Sequence, residues 1–334
     1  MKKFLAFMKS MFKKKLVGAI GLCILVLLVL VAIFADVLAP YPMVEGAMQV
    51  SVIDKLKEPF LFMSQADKAA YLETGKNIYW LGTDSLGRDL LSYLIYGART
   101  SVILCISCVI ISTVISVLIG TLSATIGGKF DMVIQRFVDA WQCIPSMLIL
   151  LIMMSIPGNG LPQLIFALSV PNGIGGSRMI RSAAFSVKDS GYVEAAELLG
   201  CGTWWKVVKH VIPNTLPLII ISATGSIGGV VMMEASLNFL GYGVDPGTPS
   251  WGYLITNQGR TNMFSAPWLA ICPGIAIALM VFGANMFGDA VRDLMDPRLK
   301  GGVGSYNSKK IHKIADKMMK KLEKQTARRA KQPV

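Results

Sequence analysis

Residues 16–38 form an unbroken apolar run of 23 positions with a single charge, Asp36, near its far end. As a helix rising about 1.5 Å per residue, the run is about 35 Å long, enough to cross a hydrocarbon core about 30 Å thick. A cleavable leader has an apolar core of only about 7–15 residues, so this run reads as an uncleaved membrane anchor. Lys2, Lys3, Lys9 and Lys13–Lys15 precede it and hold the N-terminus on the inner side. Among these lysines, Phe4, Phe7, Met8, Met11 and Phe12 recur at helical spacing. The segment 1–15 is either an amphipathic helix lying on the anionic inner surface or a plain basic flank.

Further apolar stretches follow at about 101–126, 137–156, 161–174, 214–237 and 267–287, for six spans in all. The composition agrees: 53% of residues are hydrophobic and 16% charged, where a soluble domain carries about 25% charge. The net charge of +13 could suggest nucleic acid, but its distribution excludes that partner. Twenty-six of the 33 lysines and arginines fall on segments read as inner and seven on those read as outer. This is the positive-inside bias, and it places both termini inside.

Several spans carry their own signals. Ser112, Ser116, Gly120, Ala124 and Gly128 repeat every fourth residue on one face of the second span. Small residues at that spacing let two helices approach closely in lipid. Gly225, Gly228 and Gly229 predict similar contact in the fifth. Asp139 and Pro145 lie in the third span, and a carboxylate at membrane depth calls for a partner, for which Arg136 is one turn away. The fourth span is short, with Pro171 and Gly173 expected to break it. Pro157-Gly158-Asn159-Gly160 reads as a tight outer turn. The tail 299–334 is strongly basic, and helical spacing of Ile311, Ile314, Met318 and Leu322 leaves a surface helix or a solvated tail open.

The stretch Tyr192–Pro217 departs from this pattern. It lies between two spans on the inner side, yet it has a helical run over 193–199, a break at Gly200 and Gly202, and a second run into Pro213. Two short helices at an angle make a projecting knob, although on its residues alone the stretch also reads as a solvated amphipathic loop. Glu194-Ala195-Ala196, Gly200 and Ile212-Pro213 have the residues and spacing of the EAA loop of ABC importer permeases, which the stretch therefore resembles. His210, where the general pattern has an aliphatic residue, is similar to the dipeptide/oligopeptide branch. Three more strings resemble that branch: Leu81–Asp89 (LGTDSLGRD), the outer PSWG at Pro249–Gly252, and the ending Gly288–Arg298. Taken alone, Thr83-Asp84 and Gly87 read only as a turn.

The resemblance implies an all-α integral membrane protein with the type I ABC importer permease fold, six transmembrane helices and a cytoplasmic EAA coupling helix. It divides the chain into 1–38 (basic segment and first span), 39–97 (extracytoplasmic loop), 98–298 (five-helix permease core with coupling loop 190–213) and 299–334 (cytoplasmic tail). It implies a heterodimer with a sister permease, two cytoplasmic ABC ATPase subunits and an extracytoplasmic substrate-binding protein, in the cell (inner) membrane. Glu194, Ala195, Ala196, Gly200, His210, Ile212 and Pro213 are the implied ATPase-coupling residues. The implied cargo is a di- or oligopeptide, with nickel or another small solute as the alternative.

No G-x-x-x-x-G-K-[ST], H-E-x-x-H or G-x-S-x-G pattern occurs. The chain is therefore expected to be a transport subunit and not an enzyme, holding no cofactor, with ATP and Mg bound by its partners. The six cysteines lie mostly within apolar segments and read as packing residues, and with two histidines no metal site is expected. A stand-alone channel or secondary transporter would carry more intramembrane ionisable residues than Asp139 and Glu234.

Overall fold

The computed structural model of the chain describes residues 11–295, apart from 14, 44–47, 49–52, 64, 66–67, 70–77, 157 and 246. The basic segment 1–10, Pro157 of the expected outer turn, the end of the Gly288–Arg298 string and the tail lie outside the described residues. The helices in order are α1 (Leu16–Ile33), α2 (Ala35–Leu38), α3 (Leu90–Ile126), α4 (Gly128–Cys143), α5 (Ser146–Ser155), α6 (Leu161–Lys188) and α7 (Gly191–Leu198). They continue with α8 (Thr203–Lys206), α9 (Ile212–Phe239), α10 (Trp251–Tyr253) and α11 (Trp268–Met295).

Helix α1, helix α3, the continuous helix Thr203–Phe239 and α11 are long and apolar enough to cross a membrane. Helices α4 and α5 make a fifth candidate only as a pair bent by 86°. Helix α6 has 28 residues but is less apolar than these. The six stretches read from the sequence thus correspond to four such helices, one bent pair and α6.

Pro145 explains the bend. Its ring disfavours helical angles at Ile144, which is extended at φ −84°, ψ 128°, so the chain turns before α5 begins. Pro171 has the opposite outcome: α6 runs through it without a break. The helix is held there from within and from a neighbour. The Asn172 side chain donates to the Leu168 carbonyl at 2.9 Å. The Ser116 hydroxyl on α3 donates to the Gly173 carbonyl at 2.7 Å. A Cβ at Gly173 would sit 2.7 Å from Ile115, so the absence of a side chain lets the two helices touch.

The small-residue face of α3 packs on α6. Ser112, Ser116, Gly120 and Ala124 are all buried, and a Cβ at Gly120 would lie 2.6 Å from the Ser177 carbonyl. Gly128 is exposed and belongs to α4. Helix α1 packs on α11 by the same device, with Gly21 set against Gly283 and Met286. Of the three glycines in α9, Gly228 approaches Asn285 of α11, whereas a Cβ at Gly225 or Gly229 would meet nothing within 4 Å. The largest apolar cluster joins α3, α5, α6 and α9 through Leu104, Leu150, Leu164, Leu168, Val230 and Leu237.

At the other end of α3, the Leu81–Asp89 string folds into a turn and a cap. Asp89 accepts from the Ser92 amide at 2.7 Å and starts α3 at Leu90, eleven residues before the expected start of the span. Asp84 accepts from the Leu86 and Arg88 amides and pairs with the Arg88 guanidinium at 2.6 Å, with both side chains buried. Gln258 then bridges, accepting from the Ser85 amide at 3.0 Å and donating to Asp84 at 3.1 Å. Trp251 of the PSWG string donates to the Leu94 carbonyl at 2.9 Å and lies against Gly97. Residues 84–97 and 251–258, more than 150 positions apart, are thus joined.

Candidate functional site

The loop between α6 and α9 is anchored before it projects. Lys188, at the end of α6, donates to the Ala124 carbonyl at the end of α3 at 3.2 Å. Ala124, Ala184 and Val211 form a small buried cluster beneath the loop. Ser190 precedes α7, and Glu194 falls in its first turn, where the unpaired amides of a helix start favour a carboxylate. Val193 and Ala196 are buried and point back to the protein, whereas Glu194 and Ala195 are exposed.

Helix α7 ends in a two-bond cap. The Gly200 amide donates to the Glu197 carbonyl at 2.9 Å and the Cys201 amide to the Ala196 carbonyl at 3.1 Å. That pattern requires a left-handed residue after the helix, and Gly200 has φ +84°. A Cβ there would meet nothing within 4 Å, so the demand for glycine is conformational and not steric. Gly202 lies at φ −65° and carries no such demand.

Two contacts fold the second run back on the first. Lys206, largely buried, pairs with Glu197 at 2.9 Å across the bend. The hydrogen bond to Lys206, followed by its charge, holds the Glu197 carboxyl below the ordinary glutamate range. The His210 ring sits between Trp205 and Tyr192, with centroids 5.1 and 6.0 Å away. Its Nε2 is buried without a hydrogen-bond partner among the described residues.

The chain then enters α9 without a break, through a widened π turn at Val207–Val211. Ile212 and Pro213 are in the first turn of α9, and Pro213 does not start a separate span as the sequence suggests. The Ile212 amide bonds to the Val207 carbonyl, five residues back. The wide turn comes just before a proline that has no amide to donate.

The structure therefore gathers Glu194, Ala195 and Ala196 on α7, the bend at Gly200, and His210 packed back against Tyr192 of α7. Leu198 and Leu199 are 89% and 86% exposed, and Trp204 is 63% exposed. With Trp205 they make an apolar edge on a loop whose inner side is already pinned. A cluster of exposed aromatic and aliphatic side chains on a pinned loop is a docking feature. Those four residues were legible only as apolar letters in a polar loop.

Asp139 on α4 has two cationic neighbours. Arg136 approaches it at 3.7 Å, and Arg178 of α6 makes a closer ion pair. Arg178 lies 39 positions away, beyond any local rule. One turn on, Arg181 of α6 grips Asp131 of α4 with both nitrogens, at 2.6 and 2.5 Å. All six cysteines are free thiols.

Residues 116–301 match the family described as binding-protein-dependent transport system inner membrane component. Residues 7–59 match the N-terminal TM domain of oligopeptide transport permease C. The chain is 35% identical over 284 residues to a di/tripeptide transport system permease protein of Pseudomonas aeruginosa, covering 85% of this chain and 89% of the relative. It is 30% identical over 289 residues to the oligopeptide transport system permease protein of Bacillus subtilis, covering 86% and 88%. A glutathione transport system permease protein of Pectobacterium atrosepticum is 31% identical over 294 residues, 88% and 91% of the two chains. Among solved structures, the inward-facing MetNI methionine ABC transporter matches with a TM-score of 0.51 at 18% identity, over 62% of this chain and 98% of that one.

Proposed function

The chain belongs to the family of binding-protein-dependent transport system inner membrane components, and we propose that, as one permease subunit of an ABC importer, it carries di- or oligopeptides. The permease role, the all-α type I fold and the absence of an enzymatic role follow from the family. The cargo is inferred from the di/tripeptide and oligopeptide relatives. In the proposed assembly a sister permease completes the pathway, two ATPase subunits bind nucleotide below it, and a binding protein delivers peptide from outside. The uneven distribution of basic residues supports an orientation with both termini in the cytoplasm.

The observation that carries the mechanism is the two-helix loop, residues 190–213, pinned to the ends of α3 and α6 on one side and apolar on the other. A loop joined to the membrane helices without a flexible linker transmits displacement as a lever. When ATP draws the two ATPases together, α7 and α8 move as one piece, because the Glu197–Lys206 pair and the His210 stack tie them. The continuous helix Thr203–Phe239 carries that motion into the membrane, where the glycine-spaced α3–α6 pair tilts as a unit and access alternates. Residues 98–298, apart from the Trp251 segment, act as the moving core in this reading, and that segment with 39–97 as the outer scaffold.

The test is transport by the purified complex of the chain with its native companions, reconstituted in liposomes. ATP-dependent accumulation of labelled dialanine in the presence of the binding protein is expected. Accumulation of nickel chelates or another small solute, with no peptide uptake and no peptide held by the binding protein, would overturn the peptide reading.

A further inference from the structure

Glu234 lies near the end of α9, in the continuous helix that begins at Thr203 and carries the coupling loop. It is 3% exposed, and none of the ion pairs found among the described residues includes it. A carboxyl buried in a membrane helix is costly unless polar neighbours satisfy it. Here two hydroxyls do so, each from a different element. The Ser250 hydroxyl, from the PSWG segment, donates to Oε1 at 3.1 Å, and the Ser101 hydroxyl of α3 bonds to the same carboxyl. Both serines are buried.

Ser250 links this carboxyl to the segments on the side away from the coupling loop. Its amide donates to the Tyr93 hydroxyl at 3.4 Å, and the Arg88 guanidinium lies over the Tyr93 ring, 4.8 Å from the centroid. Arg88 is held by Asp84, and Asp84 by Gln258. Trp251, the neighbour of Ser250 in sequence, is fixed to the Leu94 carbonyl of α3. Asn238, one turn beyond Glu234, donates to the Glu234 carbonyl at 3.0 Å, and a Cβ at Gly252 would lie 2.8 Å from that amide. The outer end of α9 is thus bonded to a segment that is itself locked to residues 84–97. Hydroxyl-to-carboxyl bonds weaken steeply with distance and angle, so a displacement of that segment either carries Glu234 with it or breaks the bond. Apolar packing has no such directionality.

We infer that Glu234 is a positioning residue for import, tying the outer end of the lever to residues 84–97 and 250–258. A binding protein that settles on those outer segments then shifts α9 and, about 45 Å along the same helix, the coupling loop. The inference rests on the lever reading above, names the contact through which the outer face acts on it, and is independent of the cargo.

The test uses the complex of the chain with its native companions in liposomes. ATP hydrolysis is read with and without the binding protein as purified, beside Tm in detergent. Ser250→Ala removes the donor. Glu234→Gln keeps an acceptor for Ser250 in the same shape. Glu234→Met together with Ser250→Ala replaces the bonded pair by apolar groups, a change that leaves stability close to wild type. Basal hydrolysis is expected to match the wild type in all three. Stimulation by the binding protein is expected to fall about tenfold in Ser250→Ala and in the apolar pair, the worth of one such hydrogen bond. The half-stimulating concentration of binding protein is expected to stay unchanged, and Glu234→Gln to keep most of the stimulation. Wild-type stimulation in Ser250→Ala or in the apolar pair would overturn the inference. So would a loss that only tracks a loss of Tm or of basal hydrolysis, or a loss in Glu234→Gln as large as in the pair. Absence of stimulation in the unmodified complex would instead remove the lever reading, so the two failures are separate.

Discussion

Substituting Gly200 by valine isolates the lever. The residue sits at φ +84°, a region that costs an L-residue about 1–2 kcal/mol and a β-branched one more, toward 3 kcal/mol. Among the described residues no atom lies within 4 Å of the added Cβ, so the described membrane helices feel no clash. At about 1.4 kcal/mol per decade, the capped bend should become about 10- to 100-fold less favoured against conformers that splay α7 from α8. Membrane insertion and assembly with the ATPases are expected to be normal, with ATP hydrolysis uncoupled from binding protein and uptake abolished. Gly200→Asn, which tolerates left-handed angles, is expected to retain part of the uptake, and Gly200→Ala to lie between Asn and Val. The assay is ATP-driven peptide uptake beside binding-protein-stimulated hydrolysis in proteoliposomes. Wild-type uptake and stimulation in Gly200→Val would refute the reasoning, as would equal losses in all three variants.

Other outcomes follow from the same contacts. Gly120→Ala places a Cβ 2.6 Å from the Ser177 carbonyl, and the overpacking is expected to cost about 1–3 kcal/mol, seen as a lower Tm in detergent; an unchanged Tm contradicts it. Arg181→Ala leaves Asp131 without its two-pronged partner and is expected to destabilise by about 1–3 kcal/mol. The charge-swapped double variant Asp131→Arg with Arg181→Asp should recover part of that loss, and no recovery would argue against direct pairing. Because Glu197 is held below its ordinary value of 4.5 by Lys206, its contribution to the bend is present above that pH and lost as pH falls through the folded value. Amide exchange over residues 197–206, corrected for intrinsic rates, should therefore rise in acid in the wild type. In Glu197→Gln it should already be raised at neutral pH and stay flat.

The sequence made the two-helix shape of the 190–213 loop legible because its signals are local. The Glu-Ala-Ala run, the glycine at the end of α7 and the proline beyond His210 each act within a turn or two of their own position. The small-residue face of α3 was equally readable, since its period shows which side must meet a neighbour. What a period does not show is the identity of that neighbour, and α6 emerges only from the three-dimensional packing. The two prolines show the same limit. Pro145 bends the chain, with Ile144 extended before it, whereas Pro171 is accommodated beside bonds from Asn172 and from Ser116 of another helix. Local rules treat them alike.

The pairing of Asp139 was half legible. Arg136 is one turn away and lies at 3.7 Å, but the closer Arg178 comes from a helix whose register against α4 no short-range rule fixes. The early start of α3 at Leu90 is written in Asp89 and Ser92, a helix-start signature that lies ahead of the apolar run. The joining of Asp84 and Arg88 to Gln258 depends on contacts across more than 170 positions. Leu198, Leu199, Trp204 and Trp205 are visible as letters, but their shared exposure depends on the bend at Gly200.

The most direct measurement is photo-crosslinking from a probe placed at Leu199 in the assembled, membrane-embedded complex. The expected product is an adduct with an ATPase subunit whose yield changes between nucleotide-free and ATP-bound states. Labelling of that position by a membrane-impermeant reagent added only from outside, with no ATPase adduct in either state, would contradict the role of the loop.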